Sequence, residues 1–213
     1  MMGSKDRRNM KTNVKEGNAH IHLTARYVQA LEYAIEWHGY QHRKSTEIPY
    51  ISHPLGVSSL ILEAMGDEDQ AIAGLLHDIP EDCGGEPRLV EIQKLFGDRV
   101  AELVRGCSDS LTEDPEVKAP WRERKEEHLR HLAVASADLL LVTGADKVHN
   151  GRSIATDKQS IGDEIWRRFN SDKASIIWYY DSVLAILEKA GITNAIVNPL
   201  KAAIEVMKAD SPR

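Results

Sequence analysis

The sequence predicts an all-α protein, a helical bundle in one compact domain. Three observations carry this reading. Apolar residues recur at helical spacing almost throughout, no segment alternates with the period of a strand, and the connections are too short to hold a second domain. A chain of 213 residues with 42% hydrophobic and 28% charged content is the size and composition of one large soluble domain with a substantial core.

Taken in order, residues 1–20 are polar and read as a flexible lead-in to a domain spanning 21–213, with no apolar stretch of the kind a secretory signal carries. Over 24–43 the spacing predicts a helix capped by Thr24, with Tyr27, Leu31, Ala34, Ile35 and His38 on one face. A polar turn follows over 44–50. Pro54 suits the first turn of a second helix that Gly66 ends. Asp67 and Gln70 have capping-box spacing for a third helix over 68–78. Pro80 stops or kinks that helix, so His77 and Asp78 fall in its last turn and Glu81 and Asp82 on the bend beyond. Further helices are expected over 87–96, 98–107, 120–135, 138–150, 172–190 and 199–209.

Composition excludes several function classes. The longest apolar runs, such as 139-LLLV-142, are far too short to span a bilayer. Cys83 and Cys107 are too few for a disulfide framework and lack CxxC spacing, so a reducing cytoplasm is the default location. A net charge of −6 argues against a nucleic-acid binder, while a small anionic ligand stays open wherever positive charge is gathered locally.

The chemistry-bearing residues concentrate in a few places. The stretch 75-LLHDIPED-82 sets a histidine and three carboxylates behind an apolar run. His53 and Asp146 are further metal-ligand candidates, and nitrogen with oxygen donors suits manganese, iron or zinc. Asp146 and Asn150 are four apart, hence on one helical face. A carboxylate on so apolar a helix needs a metal or an ion-pair partner. His38 and His42 have zinc-like spacing without the glutamate of an HExxH motif, and His128 and His131 read as solvated on a charged helix.

The order His53, His77-Asp78, Asp146 resembles the H…HD…D ligand set of the HD-domain metal-dependent phosphohydrolases. Four longer phrases, 41-QHRKSTEIPYISHP-54, 75-LLHDIPED-82, 96-FGDRVAELVRGCSD-109 and 145-ADKVHN-150, resemble the hydrolase domain of RelA/SpoT homologues, and the length resembles the small, stand-alone Mesh-type members. The resemblance implies a manganese-dependent (p)ppGpp 3′-pyrophosphohydrolase releasing pyrophosphate and GDP or GTP, while the donor set alone leaves iron or zinc possible. It also implies roles. His53, His77, Asp78 and Asp146 would hold one divalent ion, and Glu81 and Asp82 would orient or deprotonate water. Arg43, Lys44, Ser45 and Asn150 would contact the nucleotide, and Tyr179 resembles a substrate-side tyrosine.

The chain departs from the family pattern at several points. Thr46 stands where the family has glycine, in a loop one residue longer, and Gly144 and Gly151 interrupt the 143–151 stretch. The 161–169 segment has no counterpart in the alarmone motifs. These departures leave open a different nucleotide or phosphoester as substrate. A silent nucleotide-sensing module is the third reading, against which all the expected site residues are present. Self-association through the C-terminal helices is also open, with no motif behind it.

Overall fold

The computed structural model describes residues 21–109, 111 and 118–210, and the expected lead-in over 1–20 lies outside them. Among the described residues the structure is helical, and the nearest thing to a strand is an isolated bridge between His42 and Pro49.

Helix α1 (Ala25–His38) begins where expected, with the Thr24 hydroxyl accepting from the Arg26 amide at 3.2 Å. It ends at Gly39, well short of residue 43, so Arg43 and Lys44 belong to a loop rather than a helix end. The buried stripe is Ala30, Tyr33, Ala34 and His38, while Ile35 is half exposed. Helix α1 packs against α3.

Helices α2 (Ser52–Glu63) and α3 (Glu68–Leu76) form a hairpin, and the predicted capping box of Asp67 and Gln70 is present in both directions. The chain leaves α3 at His77 and Asp78 and resumes as the short helix α4 (Ile79–Asp82). Pro80 sits in the first turn of α4, where no amide proton is needed. Glu81 and Asp82 therefore lie on a helix of their own rather than on a bend.

Helices α5 (Gly85–Phe96) and α6 (Asp98–Cys107) pair around Gly97, and α7 (Trp121–Leu132) follows. Helix α8 (Ala137–Ile161) runs far beyond the expected end at 150, because nothing breaks it until Gly162 takes a φ of 63°. The segment Gly162–Arg168 forms a 3-10 turn before α9 (Lys173–Lys189). Helix α10 (Asn194–Lys208) starts at the Thr193 cap rather than at Pro199. The carbonyl that Pro199 leaves without its amide partner belongs to Ala195, which is exposed to water.

At the centre α2, α3 and α8 pack together, with α1 and α6 against α3 and α10 against α8. Ile61, Ile72, Leu75, Leu76 and Ile79 are fully buried. Each contributes roughly 1.5–3 kcal/mol of apolar transfer free energy. The interruption of α8 by Gly144 and Gly151 is a packing feature. A Cβ at Gly144 would meet Ile196 Cγ2 at 2.6 Å, and one at Gly151 would meet Ala203 Cβ at 3.2 Å. Among the described residues no helix is long and apolar enough to cross a membrane.

Candidate metal centre

Three element ends and the middle of α8 converge on one point. His53 enters from the first turn of α2, His77 and Asp78 from the break between α3 and α4, and Asp146 from α8. Ligand-capable atoms of His53, His77 and Asp146 all lie within 4.8 Å of one another, and all three residues are buried. Asp78 Oδ2 is 3.3 Å from His53 Nε2 and 3.1 Å from His77 Nε2. Asp146 Oδ1 is 3.3 Å and 3.7 Å from the same two nitrogens.

The hydrogen bonds behind these atoms decide what the site can hold. His77 Nδ1 lies 3.0 Å from the Gly74 carbonyl, which can only accept, so Nδ1 carries the proton and Nε2 presents its lone pair. His77 Nε2 is buried and makes no properly directed hydrogen bond. His53 Nδ1 is 2.9 Å from Nδ1 of His149, whose pKa is pushed down to about 4 by burial and by the neighbouring His53. With His53 as donor in that pair, its Nε2 is an acceptor too. With both ε nitrogens deprotonated, two imidazole lone pairs and two carboxylates face one another, an arrangement that a divalent cation satisfies.

The titration behaviour says the same. Burial works against a charged His77, yet Asp78 and Asp146 hold its imidazole well above the ordinary histidine range. Burial likewise opposes ionised Asp146, but Lys147 and the two histidines hold it well below the usual carboxylate range. The cluster demands positive charge, and a proton on His77 serves where no ion is bound. Nitrogen and oxygen donors in this mix fit manganese, iron or zinc.

Several residues not singled out from the sequence support this centre. Tyr50 donates to Asp78 Oδ2 at 2.6 Å, Lys147 to Asp146 Oδ2 at 2.6 Å, and His149 backs His53. Tyr50 and His149 both lie inside motif phrases, three residues from His53 and Asp146 respectively, which was the available signal. The ion pair weighed for Asp146 thus exists alongside the metal-like cluster, through its other oxygen.

Of the remaining expected site residues, Asn150 donates to Asp146 Oδ1 at 2.6 Å and accepts from Arg43 Nη2 at 2.8 Å. That chain links the centre to a cavity of about 630 Å³. Arg43, Lys44, Arg152 and Arg168 bring positive charge to it, and Tyr50, Phe169 and Tyr180 bring rings. Ser45 is exposed, with a φ of 59°, and is not part of the lining. The Thr46 hydroxyl donates to the Arg43 carbonyl at 2.9 Å and so closes the loop between α1 and α2.

Tyr179 is 3% exposed and also lies off this lining, while its neighbour Tyr180 is on it. The Tyr179 hydroxyl is 2.8 Å from His128 Nδ1. His128 is therefore buried, contrary to the solvated reading, because α9 covers it with an aromatic side chain. His38 is buried too, 2.7 Å from Gln41, whereas His42 is exposed, so this pair does not converge.

Glu81 pairs with Lys118 at 3.3 Å, and burial together with the nearby Asp109 carboxylate pushes its pKa up. Asp82 is pushed up to about 6, by withdrawal from bulk solvent and then by the charges of Asp78 and Glu81. Asp109 itself accepts from Lys125 at 2.5 Å and from Arg124.

The chain is 34% identical over 134 residues to guanosine-3′,5′-bis(diphosphate) 3′-pyrophosphohydrolase MESH1 of Drosophila melanogaster, covering 62% of this chain and 70% of that protein. It is 36% identical over 129 residues to an Aquifex aeolicus protein described as guanosine-3′,5′-bis(diphosphate) 3′-pyrophosphohydrolase, covering 59% of this chain. The chain spans only about a sixth of the length of such long relatives, 17% in that case. A solved structure described as a metazoan orthologue of SpoT that hydrolyses ppGpp superposes with a TM-score of 0.69 at 28% identity, over 87% of this chain and 97% of that one. Residues 30–170 match the HD domain family, and the chain belongs to that family.

Proposed function

We propose that this chain is a metal-dependent (p)ppGpp 3′-pyrophosphohydrolase. The observation that carries the reading is the hydrogen-bonded path Arg43–Asn150–Asp146, which joins a cation-rich cavity directly to a proton-poor cluster of metal-type donors. Relatives described as guanosine-3′,5′-bis(diphosphate) 3′-pyrophosphohydrolases support the choice of substrate.

In this reading His53, His77, Asp78 and Asp146 hold one divalent ion, with Mn²⁺ the first candidate. Bound there, it supplies Lewis acidity toward a phosphoryl oxygen and makes water more acidic. Asp82, whose burial pushes its pKa up, is the base that accepts a proton from the attacking water. Glu81, next to it on α4, assists in orienting that water. Water adds to phosphorus as the bond to the ribose 3′ oxygen breaks. The 3′ oxygen takes up the proton that Asp82 received from the water, and pyrophosphate leaves with GDP or GTP as the other product. Arg43 and Lys44 grip the nucleotide, and Tyr50 keeps Asp78 turned toward the histidines.

The test is pyrophosphate release from ppGpp by metal-stripped protein with Mn²⁺ restored, beside Asp146→Ala and Glu81→Ala. Mn²⁺-dependent formation of GDP, lost in both variants, is the expected result. Mn²⁺ binding with ppGpp left intact would overturn the substrate and leave the HD-type centre standing. A second reading, another nucleotide as substrate, draws on one observation: the 162–168 turn, without counterpart in the alarmone motifs, forms part of the cavity wall.

A further inference from the structure

We infer that Arg168, presented by the turn between α8 and α9, grips the phosphates of the nucleotide that are remote from the bond being cleaved. The inference rests on the reading of this cavity as the nucleotide site.

The turn is a built wall. Ile165 is 2% exposed and lines the cavity, and Trp166 packs against Phe169 with ring centroids 6.0 Å apart. Trp166 Nε1 donates to Asp163 at 3.0 Å, which ties the turn to itself. Across the cavity mouth, Lys44 Nζ donates to Asn170 Oδ1 at 3.2 Å, joining the loop after α1 to the end of the turn. Arg168 is held in the wall by its Nη1, which donates to Asp157 on α8 at 2.7 Å.

Charge defines the ligand. The lining carries four cations, Arg43, Lys44, Arg152 and Arg168, against one carboxylate, Asp157, and so a net charge of 4 − 1 = +3 with His149 neutral. One cation is committed toward the metal centre, since Arg43 is bonded to Asn150, which is bonded to Asp146. Arg168 belongs to an element that contributes nothing to the metal-type cluster, and its partner Asp157 lies seven residues beyond Asn150 on α8, about 10 Å along the helix. A substrate with phosphate at one end only would leave Arg152 and Arg168 with Asp157 as the one carboxylate of the lining to balance them. One with a reacting phosphate at the centre and a second phosphate group at the far end satisfies both. The ligand class is thus a nucleotide phosphorylated at two separate positions, and a planar guanidinium forks onto the far group.

The experiment is calorimetric binding of GDP and of guanosine to the Mn²⁺-loaded protein, comparing wild type, Arg168→Gln and Arg122→Gln. Arg122 is half exposed on α7 and off the cavity lining, and serves as a control for net charge. Arg168→Gln is expected to weaken GDP by about tenfold or more, the scale of a lost charge-assisted hydrogen bond, while leaving guanosine unchanged. With ppGpp as substrate, the same variant should raise KM with kcat retained. A GDP loss no larger than in Arg122→Gln, an equal loss for guanosine, or no GDP binding by the wild type would each overturn the inference. If the GDP pattern holds while the wild type leaves ppGpp intact, Arg168 keeps its role and the proposed activity fails instead.

Discussion

His149 holds the back of His53 as a carboxylate or carbonyl often holds a metal-binding histidine, fixing which nitrogen faces the centre. Replacing His149 with alanine removes that partner and lets the His53 ring choose its tautomer. Mn²⁺ affinity measured by calorimetric titration should fall by about 10–100-fold with the helical circular dichroism unchanged. Undiminished affinity would mean that packing alone orients His53. Residues such as His53, His77, Asp78 and Asp146 were legible in the sequence because their chemistry is carried by residue type and order. Tyr50, Lys147 and His149 were less so, since their part depends on where a side chain points. Lys147 follows Asp146 directly, yet its amine returns to the same carboxylate. His128 misled for a related reason: its sequence neighbours are charged, and what buries it is Tyr179 from α9.

Helix boundaries were legible where a side chain caps them, as at Thr24 and Asp67, and illegible where the stop signal was a weak residue inside a longer packed helix. The helix expected to end at 150 instead continues through Gly151, where Ala203 and Met207 of α10 pack close against it. The close approach makes a prediction. Gly144→Val places a branched side chain against Ile196 and Leu187, and should destabilise the fold by about 1–3 kcal/mol in guanidinium melts. A change within experimental error would show that α10 can slide to make room. The extra length of α8 has its own consequence at the far end. Buried Lys158 donates to the Val206 and Met207 carbonyls at 3.1 Å each and to that of Ala209, closing the last turn of α10. Lys158→Met keeps the length of the stem but leaves those carbonyls without the charged donor. Amide exchange in the last turn of α10 should accelerate, and stability should drop by about 1–3 kcal/mol. Exchange as slow as in the wild type would assign the closure of α10 to packing.

Across the whole molecule, titratable groups buried in opposite senses make stability depend on pH, and His128 gives the clearest case. Burial, with Lys147 and Lys125 nearby, lowers its pKa to about 4 in the folded protein. In the unfolded chain it returns to about 6.5. Between those values the unfolded state binds more protons, so stability falls as pH drops from about 6.5 toward 4 and is fully retained above that window. The full effect below pH 4 is about 3 kcal/mol, from 1.36 kcal/mol per pKa unit. His77 acts with the opposite sign. Its folded pKa is raised, so without metal it contributes stability at low pH that is lost as pH rises through the folded value. A single pH series would mix the two, and bound metal would add its own proton linkage. The measurement is therefore a difference: guanidinium melts of wild type and His128→Gln in excess chelator, at pH 7 and pH 4.5. Both proteins keep His77, so its contribution cancels. The variant loses stability at pH 7 through the broken bond to Tyr179, and it should lose about 2–3 kcal/mol less than the wild type on going to pH 4.5. Equal losses in the two proteins would mean that His128 is not held neutral in the fold, and that the acid sensitivity has its source elsewhere.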